Sequence, residues 1–101
     1  MTGEMHSINQ DGEDSNGESW PLHAAIAKAV GGELRPFDVY QGPYILVDSL
    51  DYQGAKRLWI STEDGVICQV WREDNEALSD PFWGEDIETA IAEARALLEV
   101  A

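Results

Sequence analysis

Residues 56–72, KRLWISTEDGVICQVWR, decide the fold, because they read as two strands folded about Glu63-Asp64-Gly65. Branched and aromatic residues alternate with polar ones on both sides of an Asp-Gly turn, which is the pattern of a hairpin. The side chains choose its register. A two-residue loop at Asp64-Gly65 pairs Ile60 with Gln69 and mixes polar and apolar groups on both faces. A three-residue loop with Gly65 left-handed pairs Thr62 with Val66, Ile60 with Cys68 and Leu58 with Val70. One face then collects Leu58, Ile60, Val66, Cys68 and Val70, as a half-buried sheet requires. Cys68 becomes a small core hydrophobe and not a reactive thiol. The other face receives Trp59 and Trp71, with Arg57 opposite Trp71 at cation–π range. The segment around Phe82-Trp83 is expected to cover these tryptophans. Left uncovered, they mark a contact surface.

Upstream, Ser19 is the expected N-cap and Pro21 occupies a first helical turn, where its missing N–H costs little. Leu22, Ile26, Ala29 and Val30 recur at helical spacing until Gly31-Gly32, so a helix is predicted over residues 20–30. His23, with no second ligand nearby, is read as a surface or half-buried residue. Glu33 to Tyr40 is a strand that Pro36 confines to an edge or a bend. Gln41-Gly42-Pro43 turns the chain into the strand Tyr44–Val47, and residues 48–55 form a polar loop. Downstream, Asp80 to Gly84 is a turn. From Glu85 onward Ile87, Ala90, Ile91, Ala94, Leu97 and Leu98 follow the i, i+3, i+4, i+7 pattern of a helix. Glu85, Asp86 and Glu88 lie in its first turn, where the helix dipole favours anions. The predicted product is α+β: α-β-β-β-β-α, an antiparallel sheet of about four strands with both helices on one face.

The chain has 101 residues, one small domain, and twenty acids against six Lys and Arg give a net charge of −14. The charge is uneven. Residues 1–19 hold five acids and no base; residues 73–101 hold nine acids against Arg95 alone. The first stretch, rich in Gly, Ser, Asn and acids, is expected to be a disordered acidic tail ahead of a single α+β domain over 20–101. Direct binding to nucleic acid or an anionic membrane is disfavoured by like charge. No apolar run approaches the roughly 20 residues of a membrane span. No signal-peptide pattern opens the chain, and a single cysteine suits a reducing, cytoplasmic setting. There is no phosphate-binding glycine loop, CxxC or HExxH, and two isolated histidines do not make a usual zinc site. Neither an enzyme nor a cofactor is expected.

What remains is binding. Glu73, Asp74, Glu76, Asp80, Glu85, Asp86, Glu88 and Glu93 form an expected acidic patch, with Trp59 and Trp71 as the aromatic part of the partner-binding surface. Residues 85–99 carry five acids over about 21 Å of helix, against roughly twelve charges on that length of duplex DNA. The helix alone is a poor copy of a duplex, and the acids of residues 73–80 are needed beside it. In size, acidity and lack of catalytic motifs the chain resembles the small anti-CRISPR and DNA-mimic inhibitors of phages and mobile elements. The resemblance is one of class, spans the whole chain, and carries over no individual residue. It implies inhibition of a basic nucleic-acid-binding protein or nucleoprotein complex by occupation of its DNA or RNA site. Two alternatives stand beside it. One is a homodimeric or larger accessory protein built on the Trp59/Trp71 face; the other is an immunity protein or antitoxin against a basic nuclease.

Overall fold

The computed structural model describes residues 5–47, 56–64 and 66–99. Its elements are α1 (Pro21–Val30), β1 (Glu33–Asp38), β2 (Gly42–Val47), β3 (Lys56–Glu63), β4 (Ile67–Arg72), β5 (Ala77–Leu78), β6 (Phe82–Trp83) and α2 (Ile87–Glu99). All strand pairs are antiparallel. Strands β1 to β5 lie in sequence order, and β6 also pairs with β4. The α+β class and the helix–strands–helix order are as expected. The predicted loop 48–55 and the left-handed conformation of Gly65 lie outside the described residues.

The hairpin has its three-residue loop, but at positions 64–66. Asp64 adopts a positive φ of 54°, and Val66 N–H donates to the Glu63 carbonyl at 3.2 Å. Thr62 therefore opposes Cys68, Ile60 opposes Val70 and Trp59 opposes Trp71, two residues away from the predicted pairing. Because strand side chains repeat every second residue, a shift of two leaves each strand residue on its face. Leu58, Ile60, Cys68 and Val70 are all buried, whereas Val66 leaves the inner face and is exposed in the loop. Arg57 no longer faces Trp71. Its guanidinium lies 5.4 Å over the Tyr44 ring and 3.4 Å from Glu73.

Two additional strands occupy the stretch read as loop and turn. β5 and β6 together form an interrupted edge along β4, and Ser79 bridges the gap between them. Its N–H donates to the Val70 carbonyl, and its Oγ accepts the Val70 N–H at 2.9 Å. Pro81 lies in the same break, where no ladder N–H is needed. Both helices pack on the inner face and on each other, α1 against β1 and β2, α2 against β4 and β6. The core joins Ile26, Leu34, Ile45, Leu58, Val70, Phe82 and the small Ala90 and Ala94. Asp86 caps α2: Thr89 Oγ1 donates to it at 2.6 Å and Thr89 N–H at 3.2 Å. Ser19 does not cap α1. The N-cap is Trp20, with no side-chain cap bond, because Ser19 is extended in a bridge with Glu13.

Residues 5–19 differ from the expected disordered tail, whose first four residues lie outside the described ones. They fold back through the bridges Ile8–Asp14 and Glu13–Ser19. Met5 is buried, and its N–H donates to the Phe37 carbonyl at 3.4 Å. Gln10 exchanges two hydrogen bonds with the Leu34 backbone, at 2.9 and 3.2 Å, and so shields the edge strand β1. Asp14 organises the turn, accepting N–H groups from Asn16, Glu18 and Trp20 Nε1 at 2.8 to 3.0 Å. Desolvation works to raise its pKa, but these bonds outweigh it and hold the carboxyl below its ordinary range. Side-chain and backbone hydrogen bonds hold this segment together, and Met5 and Ile8 add apolar contact with the domain.

Pro36 confines β1 to the edge and the pairing slips between Arg35 and Asp38, as its missing N–H dictates. The β1–β2 turn closes when Asp38 Oδ1 accepts the N–H groups of Tyr40 and Gln41 at 2.9 and 2.7 Å. Gly42 then needs φ 77°, and a Cβ there would sit 2.9 Å from Trp20 Cζ3. Gly42→Ala is expected to lower stability by about 1–3 kcal/mol, from left-handed strain and contact with the indole. Urea denaturation with an unchanged slope checks this; a loss under about 0.5 kcal/mol would mean that Trp20 moves aside freely.

Candidate binding surface

The sheet face away from the helices carries an aromatic array. Phe37 meets Trp59 edge-on at 4.9 Å, and Tyr44 lies 4.9 Å from the same Trp59 ring, tilted 33° to it. Trp71 is the cross-strand neighbour of Trp59, and Leu78 that of Trp71. The expected cover does not form. Phe82, opposite Cys68, turns into the core, so Trp83, opposite Ile67, points outward. Trp83 is 59% exposed, Leu78 60% and Ile67 39%. Trp59 and Trp71 are half-buried by their own neighbours, so neither is ordinary core.

The eight nominated acids do not form one uniform patch. Glu73 pairs with Arg57 at 3.4 Å. Asp74 accepts Arg72 Nε and Nη2 at 2.8 and 2.9 Å; that hydrogen bonding, against a desolvation cost, keeps its carboxyl below the ordinary range. Asp86 is committed to Thr89, whose hydrogen bonds likewise lower its pKa. Glu93 accepts the Asp80 N–H at 3.1 Å. Glu76, Asp80, Glu85 and Glu88 are exposed and make no side-chain ion pair among the described residues. Glu76, Asp80 and Glu85 flank β5 and β6 in the chain, so these carboxylates border the edge that shows Leu78 and Trp83.

A second feature escaped the sequence reading. β2 pairs with β3 only between Ile45–Leu58 and Val47–Lys56, so β3 runs on past the end of this pairing. The β1–β2 turn, the start of α1, β3 and β4 enclose a cleft of about 510 Å³ whose walls include Trp20, His23, Tyr40, Trp59 and Trp71. His23 is not a surface residue. It is 7% exposed, set edge-on to Trp20 at 5.3 Å, and burial pushes its pKa down to about 4. His23 Nε2 and Trp59 Nε1 are both buried without a hydrogen-bond partner among the described residues. An unpaired buried polar group costs about 1–3 kcal/mol. Positions 23, 26, 27 and 30 share one helical face, and that spacing was the available signal for burying His23.

Among the described residues, no group of three or more His, Cys, Asp and Glu is placed to hold a metal ion, and no helix is long and apolar enough to cross a membrane. In comparisons with known proteins, no family model, curated protein or solved structure matches the chain.

Proposed function

We propose that this protein is a non-enzymatic inhibitor that binds a basic nucleic-acid-handling protein and competes with the nucleic acid for it. The observation that supports this reading is the β5–β6 edge, where exposed Ile67, Leu78 and Trp83 adjoin exposed carboxylates. Protein interfaces combine an apolar, aromatic-rich centre with a polar rim in this way. The rim's charge, within a net of −14, steers a basic partner and disfavours acidic ones. Because four of the eight nominated acids are engaged internally, the apolar edge carries more of the affinity than a phosphate-by-phosphate imitation would. The same charge opposes pairing of two copies through this face, which weighs against the homodimer. An immunity protein or antitoxin would use the same surface on a nuclease.

The test is affinity capture from a lysate of the source organism, with wild type beside two variants. Glu76→Lys/Asp80→Lys/Glu85→Lys/Glu88→Lys removes the rim; Leu78→Ser/Trp83→Ser removes the exposed apolar pair. The wild type is expected to retain a basic protein that elutes as salt rises, since exposed charge pairs are screened. Each variant is expected to weaken retention by about tenfold or more, in line with loss of interface anchors or steering charge. Retention unchanged in both variants, or recovery of the protein alone as a dimer, contradicts the reading.

A further inference from the structure

Three features meet in the cleft between the β1–β2 turn, the start of α1 and β3. Four aromatic side chains and the His23 imidazole make up half of its described lining, His23 Nε2 and Trp59 Nε1 are buried without a hydrogen-bond partner among the described residues, and no described lining residue is Asp, Glu, Lys or Arg. The last point is notable in a chain with 26% charged residues. The geometry points to this cleft as a binding site for a small, uncharged, planar nitrogen heterocycle, stacked on the aromatic wall and hydrogen-bonded to Trp59 Nε1 and His23 Nε2. This inference is independent of the proposed inhibitor function.

Each part of the ligand class follows from the wall. A volume of about 510 Å³ falls in the ordinary range for small-molecule sites, which are mainly apolar with a few placed polar groups. The indoles and the Tyr40 ring offer flat faces for stacking. Trp59 Nε1–H is a donor only and requires an acceptor. The His23 imidazole is neutral near pH 7, so its Nε2 takes one hydrogen bond, as donor or acceptor according to tautomer. An ammonium or guanidinium supplies no acceptor to Trp59, and the net charge of −14 repels anions. A purely apolar ring leaves both atoms unpaired. A neutral heterocycle presents ring acceptors and N–H donors on one edge. Neither atom contacts solvent, so the side chains of the wall adjust as the ligand's edge reaches them, a common change on binding.

The experiment is a titration of 15N-labelled full-length protein with adenine, following the four tryptophan indole N–H signals, with Trp59→Phe assigning the Trp59 signal. Toluene and adenosine monophosphate are titrated in parallel. Adenine is expected to shift the Trp59 indole N–H saturably, with a Kd of about 1 mM or tighter for a ligand of this size. Toluene and the charged nucleotide are expected to bind at least about tenfold more weakly, lacking the hydrogen bonds or meeting like charge. Trp59→Phe and His23→Leu are each expected to weaken adenine binding by about tenfold, the effect of one lost hydrogen bond. A Trp59 signal that does not move, toluene binding as tightly as adenine, or unweakened binding in folded variants overturns the assignment. Toluene as an equal would mark an apolar hole, suited to a partner's aromatic side chain. Should either variant fail to fold, the wild-type comparison of adenine with toluene decides alone.

Discussion

Arg72→Ala is expected to destabilise the protein by about 2–4 kcal/mol, because it leaves a buried acceptor unpaired and removes a packed stem. Arg72 is 4% exposed, and its guanidinium connects two elements that the chain separates by 25 residues. Nε and Nη2 grip Asp74 at 2.8 and 2.9 Å, while Nη1 donates to the Leu97 carbonyl at 2.8 Å. The last turn of α2 contains no base of its own. Arg72 therefore supplies from β4 the cation that a helix C-terminus favours. The Asp74 side chain is 38% exposed, so losing its partner adds little through the surface ion pair itself. Most of the cost lies at the Leu97 carbonyl and in the void left behind. Arg72→Lys keeps the charge but not the planar fork, and is expected to recover only part of the loss. Urea denaturation of the two variants checks this; a loss for Arg72→Ala under about 1 kcal/mol would show that α2 does not depend on the contact.

His23 should make the fold sensitive to mild acid. Its pKa is about 4 in the folded protein, down from 6.5, so the unfolded chain binds the proton first. The stability tied to neutral burial is complete above 6.5 and is lost as pH falls towards 4. That interval corresponds to about 3 kcal/mol. His23→Leu removes the titration, and replacing an unpaired buried nitrogen with an apolar group is expected to keep stability near neutral pH close to wild type. The quantity to measure is the stability difference between the two proteins from pH 7.5 to 4. The carboxylates are common to both and cancel. The difference is expected to move in favour of His23→Leu by about 3 kcal/mol, and a flat difference would mean that the imidazole is solvated or paired.

How far the sequence foretold this structure depends on the kind of signal each element carries. Alternation placed Leu58, Ile60, Cys68 and Val70 on one face and Trp59 and Trp71 on the other, yet it is blind to a register shift of two, which only the Asp64 turn resolves. The apolar stripe of α2 from Ile87 to Leu98 was legible because it repeats over three turns. β5 and β6 were not, since two residues each leave no period to read. Even so, the adjacency of Phe82 and Trp83 carried information: on a strand, one facing in requires the other to face out. The order in residues 5–19 was hidden, because it rests largely on backbone bridges, on the bonds Gln10 exchanges with Leu34 and on those the Asp14 carboxylate accepts, none of which leaves an apolar period. The cleft was hidden for another reason. It forms between the β1–β2 turn, the start of α1 and β3, a tertiary event with no local motif, and it brings together His23 and Trp59 from distant parts of the chain.

A protein that occupies the nucleic-acid site of a basic partner must compete with that nucleic acid. The captured partner would be saturated with fluorescein-labelled nucleic acid and the anisotropy followed as the protein is added. Full displacement by wild type and much weaker displacement by Leu78→Ser/Trp83→Ser are expected. A stable ternary complex, with anisotropy rising instead of falling, would contradict occupation of that site.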